Sequence, residues 1–259
     1  HRPCYDVVAQ AMGGMLYMTG FKEGAPVKVG PSVADHVSGI YQAVGALIAL
    51  HHRDMTGEGQ HVDVAMFDTI FSLLEAAIPY YTMNGVVTER NGNVDPSIAP
   101  FDVFPCKDGY VALGVGNERL WEKFCKTIGK EELLEDARFK TNDLRVRNYL
   151  DALQGLIRGW AKDYTKKELE DMMDAAGIPC GPVLNIKEVI EHPHTKAREM
   201  IVHCQHPTVG DMAFQGVVAK LSATPGMVET ASPLLGQHNQ EVFGLSAEEE
   251  AQLKEEGVI

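Results

Sequence analysis

VADHVSGIYQAVGALIALHHRDMTGEGQHVDVAMFD, residues 33–68, is the stretch on which the reading of this chain turns. Within it Ile40, Val44, Leu47, Ile48 and Leu50 recur at helical spacing with few polar residues on any face, which predicts a largely buried helix over residues 36–52. Gly39 and Gly45 each lower helix propensity by roughly 1 kcal/mol against Ala, so close approach of another backbone is the expected reason for them. Residues 53–59, RDMTGEG, read as a turn, and residues 60–66, QHVDVAM, alternate as a short strand does. A second core-facing helix is expected over residues 69–83, ending at the stop signal Asn84-Gly85. Upstream, Gly13, Gly14 and the Gly/Pro-rich residues 19–31 read as loop, and Asp35 sits where that loop gives way to helix.

Downstream the pattern changes. Residues 101–106 and 110–115 flank Lys107-Asp108-Gly109, a hairpin signal. Amphipathic helices are expected over residues 119–128, 144–164 and 166–176, with Gly129 and Gly177 placed as carboxyl-terminal caps, and a short helix over 186–191 precedes His192-Pro193. Residues 200–221 read as strands joined by turns, and residues 222–238 as irregular chain. Ser246 with Glu249 forms a capping box that opens a final charged helix. The fold class expected is α/β, with residues 1–94 as part of one domain, 95–200 as a small α/β domain and 201–259 as a segment returning to the first.

Composition narrows the function. The chain has 259 residues, 45% of them hydrophobic, enough to bury a substantial core. A formal net charge of −13 without a basic cluster argues against nucleic acid, though a helix amino terminus can still hold a small anion locally. Five cysteines, an odd number without a CxxC pair, suggest neither a disulfide framework nor a zinc ribbon, and reduced thiols fit a cytoplasmic protein. The longest apolar run, residues 43–50, is too short to span a bilayer, so no membrane association is expected. The opening HRPCYDVVAQ, with no initiator Met, reads as internal to a longer polypeptide.

Among chemistry-bearing residues, His51-His52, His61, His192 and His194 lack the spacing of a metal site, so no metal is expected. Gly114-Val115-Gly116 lacks the third glycine of a dinucleotide fingerprint, and no serine stands in a GxSxG elbow. Met12, Met15 and Met18 read as core filling. Asp35 supports two readings that share one geometry. It is a plausible N-cap, and a carboxylate exposed beside a glycine-rich loop is also a competent nucleophile toward an acyl carbon.

Taken together, RPCYDVVAQAMGGMLYMTG, the block at 33–68, IAPFDVFPCKDGYVALGVGNERLW, AGIPCGPV and SPLLGQHNQEVFGLS resemble the family III CoA-transferases, the CaiB/BaiF group, in the family's order and along the whole chain. The resemblance implies that Asp35, in Val33-Ala34-Asp35, is the family's nucleophile. In such enzymes the carboxylate attacks an acyl-CoA thioester to give a mixed anhydride, the released CoA thiolate converts this to an aspartyl-CoA thioester, and the acceptor acid completes the exchange. It implies acyl-CoA and a carboxylic acid as substrates, with no permanently bound cofactor. Racemases of the same family use a histidine where this chain has Tyr5, which sides with transferase over α-methylacyl-CoA racemase. Tyr5 and Met66 are expected near Asp35 by the same resemblance, with a buried structural aromatic as the other reading of Tyr5.

Family members also begin with a Rossmann-like segment that has no counterpart in these residues. The implied fold is therefore part of a large Rossmann-like domain plus a small α/β domain, in an interlocked homodimer. A separate chain could supply the leading half, which leaves a non-catalytic partner subunit of a split enzyme as the alternative role for this one.

Overall fold

The computed structural model describes residues 3–259. The chain divides into two compact units, one ending at Val183 and the other spanning Leu184–Ile259.

The first unit opens with helices α1 (Asp6–Met12), α2 (Met15–Met18), α3 (Val33–Thr56), α4 (Met66–Ser72) and α5 (Ala77–Asn84). The long apolar helix is present, but it runs 24 residues, from Val33 to Thr56, because Gln42, His51 and His52 interrupt the apolar run without breaking the helix. At about 1.5 Å per residue it is some 36 Å long, long and apolar enough by length and composition alone to cross a bilayer. The expected burial is not found. Ile40, Leu47 and Ile48 are 62%, 66% and 63% exposed, and Ala34 is the one buried residue of α3. Among the described residues, no element covers that face.

On its other side α3 is held by α1 and α4. Ser38 Oγ donates to Thr69 Oγ1 at 3.1 Å, and a small cluster of Ala9, Ala34 and Ile70 is buried between the three helices. Gly13 ends α1 so close to α4 that a Cβ there would stand 2.5 Å from Ile70 Cγ2, a separation no side chain tolerates. The close backbone approach expected at the α3 glycines is not found. A Cβ on Gly45 would meet Val62 Cγ1 at 2.7 Å, a side chain rather than a backbone, whereas Gly39 faces open space.

Two local expectations fail for identifiable reasons. The helix expected over residues 69–83 is broken into α4 and α5 around Glu75, whose φ is +48°. Pro79 explains the break, since its ring would clash with the carbonyl four residues earlier, that of Glu75. Residues 60–65 keep the alternating burial of a strand, with Val62 and Val64 half-buried, yet form no ladder, because no described strand lies beside them.

The rest of the unit is built on a three-stranded antiparallel sheet, β1 (Phe101–Cys106), β2 (Gly109–Gly114) and β3 (Cys180–Pro182), in the order β1-β2-β3. The hairpin forms as expected, with Cys106 paired to Gly109 across Lys107-Asp108. Against it stand α6 (Glu118–Thr127), α7 (Glu132–Glu135), α8 (Asn142–Arg147), α9 (Gln154–Ala161) and α10 (Lys166–Ala176). Phe104, Val111, Leu113, Trp121, Phe124, Leu153, Ile157, Leu169 and Met173 make its core. The single helix expected over 144–164 is instead α8 and α9 joined by a π turn at Tyr149–Leu153. There the buried Tyr149 hydroxyl and the Gln154 amide both donate to Asp102, at 3.1 and 2.7 Å, so the extra residue in the turn serves a buried carboxylate.

Arg145 is fully buried beneath this core. Its Nη1 donates to Glu118 Oε2 at 2.8 Å, its Nε to the Ala99 carbonyl at 2.8 Å, and its guanidinium carbon lies 4.9 Å from the Trp121 ring centre. The Arg145 hydrogen bonds hold the Glu118 carboxyl below its usual value near 4.5, against the opposing effect of burial. A depressed carboxylate stabilises the fold above its ordinary pKa and loses that contribution as pH falls through the folded value. Glu118→Gln is therefore expected to flatten the decline in melting temperature below about pH 4.5, measured by thermal denaturation across pH.

The second unit contains α11 (Ile186–Glu191), α12 (Pro193–Ala197), the antiparallel hairpin β4 (Ile201–His206) and β5 (Gly210–Gln215), α13 (Asn239–Phe243) and α14 (Ala247–Glu255). The capping box at Ser246 and Glu249 forms as expected. Unexpected is α12, opened by His192, whose Nδ1 accepts the His194 N–H at 3.1 Å.

Candidate functional site

Asp35 is not the cap of α3. Ser32 occupies that position without a side-chain bond, and Asp35 lies in the first helical turn, exposed. Among the described residues its carboxylate makes no hydrogen bond or ion pair. The N–H of Ala34, one of the free donors that every helix start presents, is instead taken by Asp6 Oδ1 at 2.9 Å, from 28 residues away. A carboxylate thus does cap this helix, but it belongs to α1.

That bond sets the neighbourhood of Asp35. Tyr5 precedes Asp6 and Asp35 follows Ala34, so the two residues flank one hydrogen bond. Tyr5 is 83% exposed, which removes the reading of it as a buried aromatic; its carbonyl accepts the N–H of Val8 and of Ala9. Met66, the first residue of α4, is half-buried and packs on the cluster of Ala9, Ala34 and Ile70. Tyr5, Asp35 and Met66 thus lie at or near the starts of α1, α3 and α4 respectively.

Competing nucleophiles are disfavoured. Burial pushes the Cys125 thiol up to about 12 and the Cys180 thiol up to about 11, and raises Cys106 as well, so these sulfurs stay protonated near neutral pH. Among the described residues no three His, Cys, Asp or Glu side chains gather as metal ligands. Two cavities of about 400 and 410 Å³ both open in the second unit, one lined by Ile190, Lys196, Glu199 and His203, the other by Pro207, Leu235, Glu250 and Lys254. Sequence reasoning missed Asp6 and Gln10. The signal available was an i, i+4 Asp–Gln pair in an otherwise apolar helix.

The description "CoA-transferase family III" matches residues 1–239. A succinyl-CoA–D-citramalate CoA-transferase of Chloroflexus aurantiacus is 37% identical over 260 residues, covering 98% of this chain and 64% of that protein. A succinyl-CoA–L-malate CoA-transferase beta subunit of the same organism is 31% identical over 93% of this chain and 60% of its own length. A CaiB/BaiF family protein from Brucella suis has the same fold, with a TM-score of 0.80 and 31% identity over 94% of this chain and 63% of that one. The chain belongs to CoA-transferase family III, with that family's mixed α/β fold. It spans about three fifths of the length of these relatives.

Proposed function

We propose that the complete protein transfers coenzyme A from an acyl-CoA to a carboxylic acid, with Asp35 as the nucleophile. The observation that carries this reading is the exposed Asp35 carboxylate, without a partner among the described residues, in the first turn of α3. A carboxylate already tied by backbone donors would have to break those bonds before attacking; this one would not. Its oxygen adds to the thioester carbonyl and CoA leaves as thiolate, giving a mixed anhydride. The thiolate then attacks the Asp35 carbonyl and releases the first acid, and the aspartyl-CoA thioester passes CoA to the acceptor carboxylate by the same two steps in reverse. Tyr5 and Met66 stand beside this path, and succinyl-CoA is the donor to try first, since the names of several relatives include it.

The exposed apolar face of α3 supports a further part of the reading. Relatives are longer by more than a third of their own length, and in the complete protein that additional chain covers Ile40, Leu47 and Ile48. The interlocked homodimer rests on family resemblance, and the cytoplasmic location on the five free cysteines. A relative from Chloroflexus named as a beta subunit supports the alternative in which a second polypeptide takes part in the complete enzyme.

Incubating the complete protein with succinyl-CoA, trapping with hydroxylamine and mapping peptides by mass is expected to place the modification on Asp35. Continued CoA exchange with Asp35 unmodified would defeat the mechanism. Deuterium entering the α-carbon of a 2-methylacyl-CoA without CoA exchange would instead identify a racemase.

A further inference from the structure

The loop that delivers Asp35 is fastened at both ends by two side chains of α1. Gln10 is fully buried, and its Nε2 donates to Asp6 Oδ1 at 3.0 Å and Oδ2 at 2.8 Å. Its Oε1 accepts the Val29 N–H at 3.1 Å, at the start of the loop. Asp6 accepts the Ala34 N–H at the loop's end. Between them Lys28 Nζ, 3.5 Å from Asp6 Oδ2, donates to the carbonyls of Val29, Gly30 and Pro31 at 2.7, 2.7 and 3.3 Å. Gly13, pressed on Ile70, fixes α1 itself against α4. Residues 28–34 are thereby tied to α1 through backbone groups, with Asp6 and Gln10 holding the two ends and the loop's own Lys28 bracing the carbonyls between them.

The same bonds decide what is left for Asp35. A carboxylate in a first helical turn ordinarily folds back onto nearby backbone N–H groups. Here the Val33 N–H is occupied by the Pro31 carbonyl at 2.9 Å and the Ala34 N–H by Asp6. Two of the donors that would tie Asp35 down are already engaged.

We infer that Asp6 and Gln10 are positioning residues for the transfer reaction: acting together as a remote cap on α3, they set the path of residues 28–34 and keep the Asp35 carboxylate free to attack. This inference rests on the reading of Asp35 as nucleophile. Neither residue has to touch substrate. Burial pushes the Asp6 carboxyl up, but the Gln10 amide, the Ala34 N–H and Lys28 together outweigh it and hold Asp6 below its usual value, so the clamp is an ionised carboxylate throughout the working pH range.

The test uses the complete protein with succinyl-CoA and compares Asp6→Ala, Asp6→Asn and Gln10→Met with Asp35→Asn. Readouts are kcat, KM for succinyl-CoA, the single-turnover rate of hydroxylamine-trapped Asp35 labelling, and the folded fraction by thermal melting. Misplacing a reacting group by about 1 Å costs on the order of 100-fold in rate. Asp6→Ala and Gln10→Met are expected to slow Asp35 labelling and kcat by roughly 10- to 100-fold per folded molecule, with KM changed less than about threefold. Asp6→Asn keeps an oxygen for the Ala34 N–H and is expected to recover about tenfold of the Asp6→Ala loss. If Asp6→Ala fails to fold, Asp6→Asn and Gln10→Met decide alone. Wild-type labelling rates in folded Gln10→Met, or losses that track only the unfolded fraction, would overturn the inference while leaving Asp35 standing. Full activity in Asp35→Asn would instead remove the reading beneath it.

Discussion

Asp35→Asn is expected to lower CoA transfer by about 10⁴-fold or more, the scale on which a lost covalent nucleophile acts, while leaving the protein folded. The amide cannot form an anhydride, yet it matches the carboxylate in size. Nothing in the packing depends on the charge, since Asp35 is exposed and without a partner among the described residues. What the substitution removes from stability is the interaction of a first-turn carboxylate with the helix dipole, about 0.3–1 kcal/mol. For a chain of this size that is a shift of roughly 1–4 °C in melting temperature. Two measurements on one variant therefore separate the readings that the sequence left open. An essential cap would lose stability and keep its rate, whereas a nucleophile loses rate and keeps its stability. Residual turnover within about tenfold of wild type would show that Asp35 does not carry the acyl group.

That separation is sharper than the sequence permitted. The sequence placed Asp35 at a helix start, and there a cap and a nucleophile look alike. The structure moves it three residues past the cap, and it assigns the capping to Asp6, a contact across 28 residues for which no local pattern exists. Local chemistry was legible wherever it sufficed to decide the backbone. Ser246 with Glu249 opens α14, Gly177 ends α10, and Lys107-Asp108 turns the β1–β2 hairpin. Where a neighbour decides, the reading failed. The apolar face of α3 predicted burial that no described element provides, and residues 60–65 have a strand's alternation without a strand beside them. Pro79 is the exception, a local signal strong enough to divide α4 from α5 that the apolar periodicity around it concealed.

Phe124→Ala is expected to produce the opposite signature to Asp35→Asn. The Phe124 ring is fully buried in α6, 6.0 Å from the Trp121 ring centre and 6.1 Å edge-on from that of Trp160. Removing it takes away the transfer free energy of the ring and leaves a cavity that two rigid indoles cannot close, a cost of about 3–5 kcal/mol. In a unit of this size that corresponds to a fall of roughly 6–20 °C in melting temperature, measurable by calorimetry or circular dichroism. Rate should not follow. Phe124 belongs to the core packed on the three-stranded sheet, a cluster distinct from that of Ala9, Ala34 and Ile70 beside Asp35, and distant sites without shared partners act independently. CoA transfer per folded molecule is expected within about twofold of wild type at temperatures below the lowered transition. A Phe124→Ala protein that melts normally but turns over slowly would mean that the two clusters are energetically coupled, and that the sheet-bearing core takes part in holding Asp35 in place.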